Sequence, residues 1–282
     1  MRLDLEKELA AALDRRFGNN ETPPNLVEAI RYSLLAPGKR IRPRLLFACS
    51  ALLDLDLRAA LPAALAIEMF HCFTLIHDDL PCMDNDDFRR GRPSNHKVFG
   101  ESLALLAGDA LLALSIETFV ESAAHLDSGL FQDGLRRFLW ATGPRGVAGG
   151  QAAEALLNSQ STLTDLKKMH TLKTGVLFSA ALLVPKDFAG ILDTSSCGRS
   201  LIQFSEALGL AFQIVDDLED AEKESARPTS ILFYQNAEKT RTETRDILYK
   251  AQSELKEAWG DEKTRPLLLI SEEVLDRMIL IK

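Results

Sequence analysis

The chain has 282 residues and a formal net charge of −8, with 46% hydrophobic and 26% charged residues. That apolar content is ample for a core, while the acidity and the lack of a basic tail argue against nucleic acid and anionic lipid membrane as partners. Four cysteines (Cys49, Cys72, Cys82, Cys197) show neither a CxxC pair nor metal-ligand spacing, and they read as reduced thiols of a cytoplasmic protein.

The opening MRLDLEKELAAALDRR is charged and helical in pattern, unlike a secretory signal. No unbroken apolar run reaches the roughly eighteen residues of a span, so no transmembrane helix is expected. Apolar residues recur at three- and four-residue spacing almost throughout, and alternating β-branched runs are nearly absent. Leu3, Leu9 and Leu13 mark a first amphipathic helix, Thr22-Pro23-Pro24 breaks the chain, and a second helix runs through Leu26, Ile30 and Leu34. The expected fold is all-α: one domain, 1–282, of about ten helices packed as a large bundle.

Next comes Ala36-Pro37-Gly38-Lys39-Arg40-Ile41-Arg42-Pro43-Arg44, where a Pro-Gly turn ends a helix and four cations crowd together. Alone it reads as a solvated basic turn; beside an acidic cluster it becomes a candidate anion pocket. From Pro62 a long, largely apolar helix is predicted, with His71 in its interior and Pro81 stopping it. His71 and Asp78 lie seven apart, about two turns, and so nearly share a face.

The stretch Leu75–Glu101, LIHDDLPCMDNDDFRRGRPSNHKVFGE, holds aspartates at 78, 79, 84, 86 and 87, followed by arginines at 89, 90 and 92. Clustered acid followed by clustered base suits a diphosphate carried by magnesium: carboxylates for the cation, guanidiniums for phosphate oxygens. A solvated charged loop is the alternative. An EF-hand is excluded, because setting Asp84 and Asp86 at positions 1 and 3 puts Phe88 at position 5 and Arg89 where glycine is required. Carboxylates ending a buried helix are costly unless paired or metal-bound, which favours the first reading.

A helix is predicted over Ser102–Ser122, Gly149-Gly150-Gln151 follows a glycine-rich turn, and Lys173-Thr174 sits inside another predicted helix. The second acidic cluster, Asp216-Asp217-Leu218-Glu219-Asp220, ends a helix whose apolar stripe is Leu201, Phe204, Leu208, Ala211, Phe212 and Val215. Asp216 and Asp220, four apart, share a face and can approach one cation. Two such clusters, each closing an apolar helix, suit a ligand with a diphosphate head and a hydrocarbon tail.

Together RYSLLAPGKRIRP (31–43), EMFHCFTLIHDDLPCMDNDDFRRGRPSNHKVFGE (68–101), LLAGDALL (105–112), GGQ (149–151), MHTLKTG (169–175) and FQIVDD (212–217) strongly resemble the short-chain trans-prenyl diphosphate synthases, over roughly residues 28–220 and in the family's order. The resemblance implies a helical bundle of the isoprenoid synthase type around a central apolar cavity, and a prenyltransferase that condenses isopentenyl diphosphate with an allylic diphosphate (dimethylallyl or geranyl), by ionisation, condensation and elimination. Asp78, Asp79 and Asp84 would form a first aspartate motif and Asp216, Asp217 and Asp220 a second, between them binding three Mg2+ ions. Lys39, Arg42 and His71, with Arg90, would hold isopentenyl diphosphate. Arg89, Lys173, Thr174 and Gln213 would hold the allylic diphosphate. Asp78, Asp79, Lys173 and Asp216 would carry the catalysis, with no side-chain base, and the enzyme is expected to be a homodimer.

Product length in this family follows an aromatic residue five positions before the first aspartate, here Phe73, with Thr74 one residue on. That implies farnesyl diphosphate, with geranylgeranyl diphosphate as the alternative suggested by the surrounding plant-type wording. Departures are Pro37 in place of a usual glycine, and a short 221–233 segment whose usual lysine has no clear match except Lys223 or Arg227. No function is assigned beyond residue 233. Rival readings are a class I terpene cyclase, which has no need of the GKRIR pocket or the Arg89-Arg90 pair, and a non-catalytic partner subunit, which would lose motif aspartates.

Overall fold

Helices account for nearly all regular structure in the computed structural model, which describes residues 4–18, 21–219 and 228–280. Among these residues the helices are α1 (Leu5–Phe17), α2 (Pro24–Leu34), α3 (Ile41–Leu52), α4 (Leu57–Asp78), α5 (Asn95–Phe99), α6 (Glu101–Val120), α7 (Ser128–Thr142), α8 (Val147–Glu154), α9 (Leu163–His170), α10 (Val176–Phe188), α11 (Ser196–Glu219), α12 (Ala237–Trp259) and α13 (Asp261–Leu280). The all-α expectation holds. The tally exceeds ten because short helices such as α5 and α8 carry too few turns to leave a periodic signal. The described strands are a two-residue hairpin, β1 (Phe88–Arg89) with β2 (Arg92–Pro93).

The chain forms two compact units. The first comprises Met1–Pro43 and Leu61–Ala124. In it α1 starts on Asp4, whose side chain accepts from the Lys7 N–H, and buries Leu9 and Leu13 as the spacing predicts. Pro24 opens α2 at a position where a missing N–H is harmless. Ile30 and Leu34 join Leu9, Leu13, Leu65, Met69, Ile76 and Leu111 in one apolar cluster. Each fully buried leucine there contributes roughly 2 kcal/mol of transfer free energy. Helix α4 begins at Leu57, not Pro62; the proline lies inside it, near enough to its start to forfeit only an early hydrogen bond.

Two helices do reach the length and mean hydropathy of a membrane span: Leu57–Asp78 at 1.7, and α6 with the 3-10 turn after it, Glu101–His125, at 1.8. An unbroken-run criterion misses them because Glu68, Asp109 and Glu117 interrupt the apolar residues. The first window is 72% buried, as befits a core helix, whereas the second is 44% buried.

The second unit comprises Arg44–Ala60 and His125–Lys282. Here α11 packs against α10, α12 and α13, and α10 against α7. The predicted stripe is inward: Leu201, Phe204, Leu208, Ala211 and Val215 are buried, and Phe212 is partly so. The expected single helix through Lys173-Thr174 is interrupted. Thr171–Gly175 is π-helical between α9 and α10, with the Val176 N–H donating to the Thr171 carbonyl five residues back.

Candidate active site

Helix α4 stops at Asp78, and the loop after it folds back on its own end. Met83 N and Asn85 N donate to Leu80 O at 2.9 and 3.1 Å, and Asp84 N donates to Asp78 O at 2.9 Å. The four residues between Asp79 and Asp84 therefore close a loop that returns Asp84 to Asp78. Asp79 is buried, and burial raises its pKa against the opposing pull of Arg89, whose Nε lies 2.8 Å from Oδ1. Asp86 and Asp87 stay exposed, yet each is ion-paired, to Arg89 at 2.9 Å and to Lys97 at 2.7 Å.

The arginines ride on the hairpin. Arg90 and Gly91 form its two-residue turn, with φ of 54° and 75°, the doubly positive arrangement that matches strand twist. Tyr32 on α2 anchors it, donating to Pro93 O at 2.9 Å and lying 4.0 Å beneath the Arg92 guanidinium. Asn95 adds a bond to Ala29 O at 2.8 Å. The Arg90 guanidinium rests against Gly38, where a Cβ would lie 2.9 Å from Nη1, so the PGKRIR turn and the hairpin meet.

His71 lies within electrostatic reach of this basic group. Burial first, then Arg42, Arg90, Arg40 and Arg89, push its pKa well below the ordinary value, leaving the ring neutral at pH 7. Arg40 itself is diverted: it is buried, ion-paired to Glu68, and donates to Leu34 O and Ala36 O at 2.9 and 2.7 Å. Lys39 is exposed on the same turn.

In the second unit the expected ligands form a hydrogen-bonded row. Thr174 Oγ1 donates to Gln213 Oε1 at 2.7 Å, and Gln213 Nε2 donates to Asp217 Oδ1 at 2.9 Å. Ile231 N donates to Asp217 Oδ2 at 2.7 Å. Lys173 is ion-paired to Glu154 on α8. The close approach behind that pair requires Gly150, since a Cβ there would meet the Lys173 backbone nitrogen at 2.2 Å. Asp216 accepts from Arg277 Nη2 at 2.9 Å. Asp220, Lys223 and Arg227 lie outside the described residues.

Phe73 is partly buried, its ring 5.2 Å from Phe70 and 4.7 Å, edge-on, from His77. Thr74 turns its hydroxyl to His71 O at 2.8 Å. Among the described residues no three His, Cys, Asp or Glu side chains converge on one point. The donors at both clusters are hard carboxylate oxygens, which fits magnesium: that ion keeps several waters and takes phosphate oxygens in preference to an all-protein cage.

Glu68, Glu154 and Arg277 are the charged partners that sequence reasoning missed. A lone glutamate in an apolar helix was a usable signal for Glu68; nothing local marks Arg277, 61 residues from Asp216.

A family model described as polyprenyl synthetase matches residues 23–229. The curated relatives include geranylgeranyl pyrophosphate synthase 7, chloroplastic, of Arabidopsis thaliana, 43% identical over 218 residues, 76% of this chain and 62% of that protein. Farnesyl diphosphate synthase of Geobacillus stearothermophilus is 42% identical over 219 residues, 77% of this chain and 73% of that protein. The chain thus spans less than two thirds of the first relative's length. A crystal structure of an FPP/GFPP synthase from Zymomonas mobilis superposes with a TM-score of 0.84 at 34% identity, covering 96% of this chain and 97% of that one. With family model, sequence relatives and fold in agreement, the chain belongs to the polyprenyl synthetase family.

Proposed function

We propose that residues 1–282 work as one magnesium-dependent, chain-elongating prenyltransferase that joins isopentenyl diphosphate to dimethylallyl or geranyl diphosphate and stops at farnesyl diphosphate. The observation that carries the reading is the first unit's pairing of opposites: Asp78, Asp79 and Asp84 on one folded-back loop, with Arg89 and Arg90 on a hairpin that meets the basic turn at Gly38. Acid for a metal and base for a diphosphate are both supplied within one small unit.

Asp78, Asp79 and Asp84, with Asp216, Asp217 and Asp220, are the residues proposed to hold magnesium, which when bound would neutralise charge on the departing allylic diphosphate. Arg89, Lys173, Thr174 and Gln213 bind and orient that diphosphate. Lys39, Arg42, His71 and Arg90 bind isopentenyl diphosphate; a neutral His71 can donate a hydrogen bond without competing with the arginines for charge. Apolar helix faces exclude water from the carbocation.

Phe73, packed between Phe70 and His77, supports a short product. The geranylgeranyl synthase among the relatives supports a twenty-carbon product as the second reading. Exposed Leu105, Leu106, Ile116 and Val120 on α6 support a homodimer, which light scattering of the purified protein tests. All four cysteines are free, in keeping with the proposed cytoplasmic setting.

The deciding assay supplies labelled isopentenyl diphosphate and each allylic primer, with and without magnesium, and sizes the product. A fifteen-carbon product that vanishes on chelation is expected. A predominantly twenty-carbon product sinks the farnesyl assignment, a hydrocarbon made from farnesyl diphosphate alone indicates a cyclase, and no turnover with any primer indicates a partner subunit.

A further inference from the structure

We infer that Arg277 is the resident counter-cation of the second aspartate cluster and sets how tightly that cluster takes a divalent metal. This rests on the proposed role of Asp216 as a magnesium ligand. Arg277 projects from α13 between two carboxylates at the end of α11. Its Nη2 lies 2.9 Å from Asp216 Oδ1 and 2.8 Å from Glu219 Oε2, and its Nε lies 3.0 Å from Glu219 Oε1. The guanidinium carbon stands 5.1 Å over the Phe212 ring, which adds a cation–π attraction. Its helix is fixed by the buried Val274, Leu275 and Met278.

Two observations separate this contact from an ordinary structural ion pair. Asp216 and Glu219 remain 40% and 42% exposed, so both can be reached by a solvated ion, unlike the sealed Arg40–Glu68 pair at 6% and 2%. Moreover Arg277 Nη1 is buried and has no hydrogen-bond partner among the described residues, so the guanidinium is one acceptor short of them where it sits. A fixed positive charge on the carboxylate that a divalent ion must use opposes that ion. The metal either shares Asp216 with Arg277 or displaces it. Arg277 is thus a positioning residue, acting through Asp216.

The sign of the effect is what tests it. Manganese binding to the full chain is titrated by calorimetry and by electron paramagnetic resonance, with inorganic diphosphate present to complete the coordination. Arg277→Gln is expected to bind Mn2+ about tenfold tighter than wild type, because one unit of repulsion on a divalent ion is removed at short range in a partly wet site. Arg277→Lys, which keeps the charge, should return the affinity to near the wild-type value. The magnesium concentration for half-maximal turnover should fall in parallel, with the KM for isopentenyl diphosphate unchanged. Damage to a merely structural residue would weaken metal binding, so unchanged or weaker binding by a variant that melts normally overturns the inference. Should Arg277→Gln not fold, Arg277→Met, which keeps an apolar stem against Phe212, makes the same comparison. Wild type that binds no Mn2+ with diphosphate present defeats the proposed function along with this inference; binding that is indifferent to residue 277 defeats this inference alone.

Discussion

At the first aspartate cluster the neutralising guanidinium, Arg89, lies ten residues from its carboxylate, whereas at the second Arg277 lies 61 residues away. The first pair is made by a hairpin that closes on itself, and Asp79 is sealed at 3% side-chain exposure. The second is made by one helix laid along another, and Asp216 stays 40% exposed. Both clusters thus hold their negative charge against a guanidinium, but only the first spends a buried carboxylate on it. The two should therefore respond alike in catalysis and differently in stability.

The sharpest test removes one carboxylate from each cluster. Asp79→Ala and Asp216→Ala should each lower kcat at least ~100-fold, the scale of losing a charge-stabilising group. Asp79→Ala should also cost about 2 kcal/mol in chemical denaturation, because it leaves a partly buried Arg89 without its main acceptor. Asp216→Ala should cost under about 1 kcal/mol, as for an exposed pair. Equal stability losses would break the distinction.

Arg90→Ala should raise the KM for isopentenyl diphosphate about tenfold, a charge-assisted hydrogen bond's worth, with a smaller change in kcat. Gly38→Ala should move the same constant in the same direction, by a few-fold, because its Cβ would press on the Arg90 guanidinium. A kcat defect with unchanged KM would detach Arg90 from that substrate. Phe73→Ala should lengthen the product at similar turnover, read by chromatography of the labelled chains; an unchanged product profile would remove Phe73 from length control.

The last expected effect is on acid stability, and it probes both units. His71 in the first and His170 in the second have pKa values lowered chiefly by burial, His170 to about 4. Because the folded value lies below the unfolded value near 6.5, the unfolded chain binds more protons between the two, and stability falls as pH drops from about 6.5 toward 4. His170→Gln should flatten part of that slope in melting curves taken across this window. A slope identical to wild type would show that His170 titrates alike in both states.

How much of this was legible in the sequence follows the same divide. Leu9, Leu13, Ile30, Leu34 and the α11 stripe apart from the half-buried Phe212 are buried where a 3.6-residue repeat places them. The first cluster could be read because its acids, arginines and loop lie within 15 residues, Asp78 to Arg92. The hairpin leaves no such mark, because Arg90-Gly91 is a weak turn signal beside Asn-Gly and two-residue strands carry no alternation. The roles of Glu154 and Arg277 depend on which helices pack together, which no local pattern encodes.

The π-helical turn at Thr171–Gly175 has a consequence for chain length itself. A π turn carries one more residue than a regular helical turn, so the run from Leu163 to Phe188 contains a phase slip of about 100°. Deleting Thr171, Leu172 or Gly175 would restore a continuous α-helix and rotate α9 by that angle relative to α10. Whichever side of the deletion they fall on, Lys173 and Thr174 would then keep their identities while losing either Glu154 or Gln213. In this segment the number of residues is as much a determinant of the site as their chemistry.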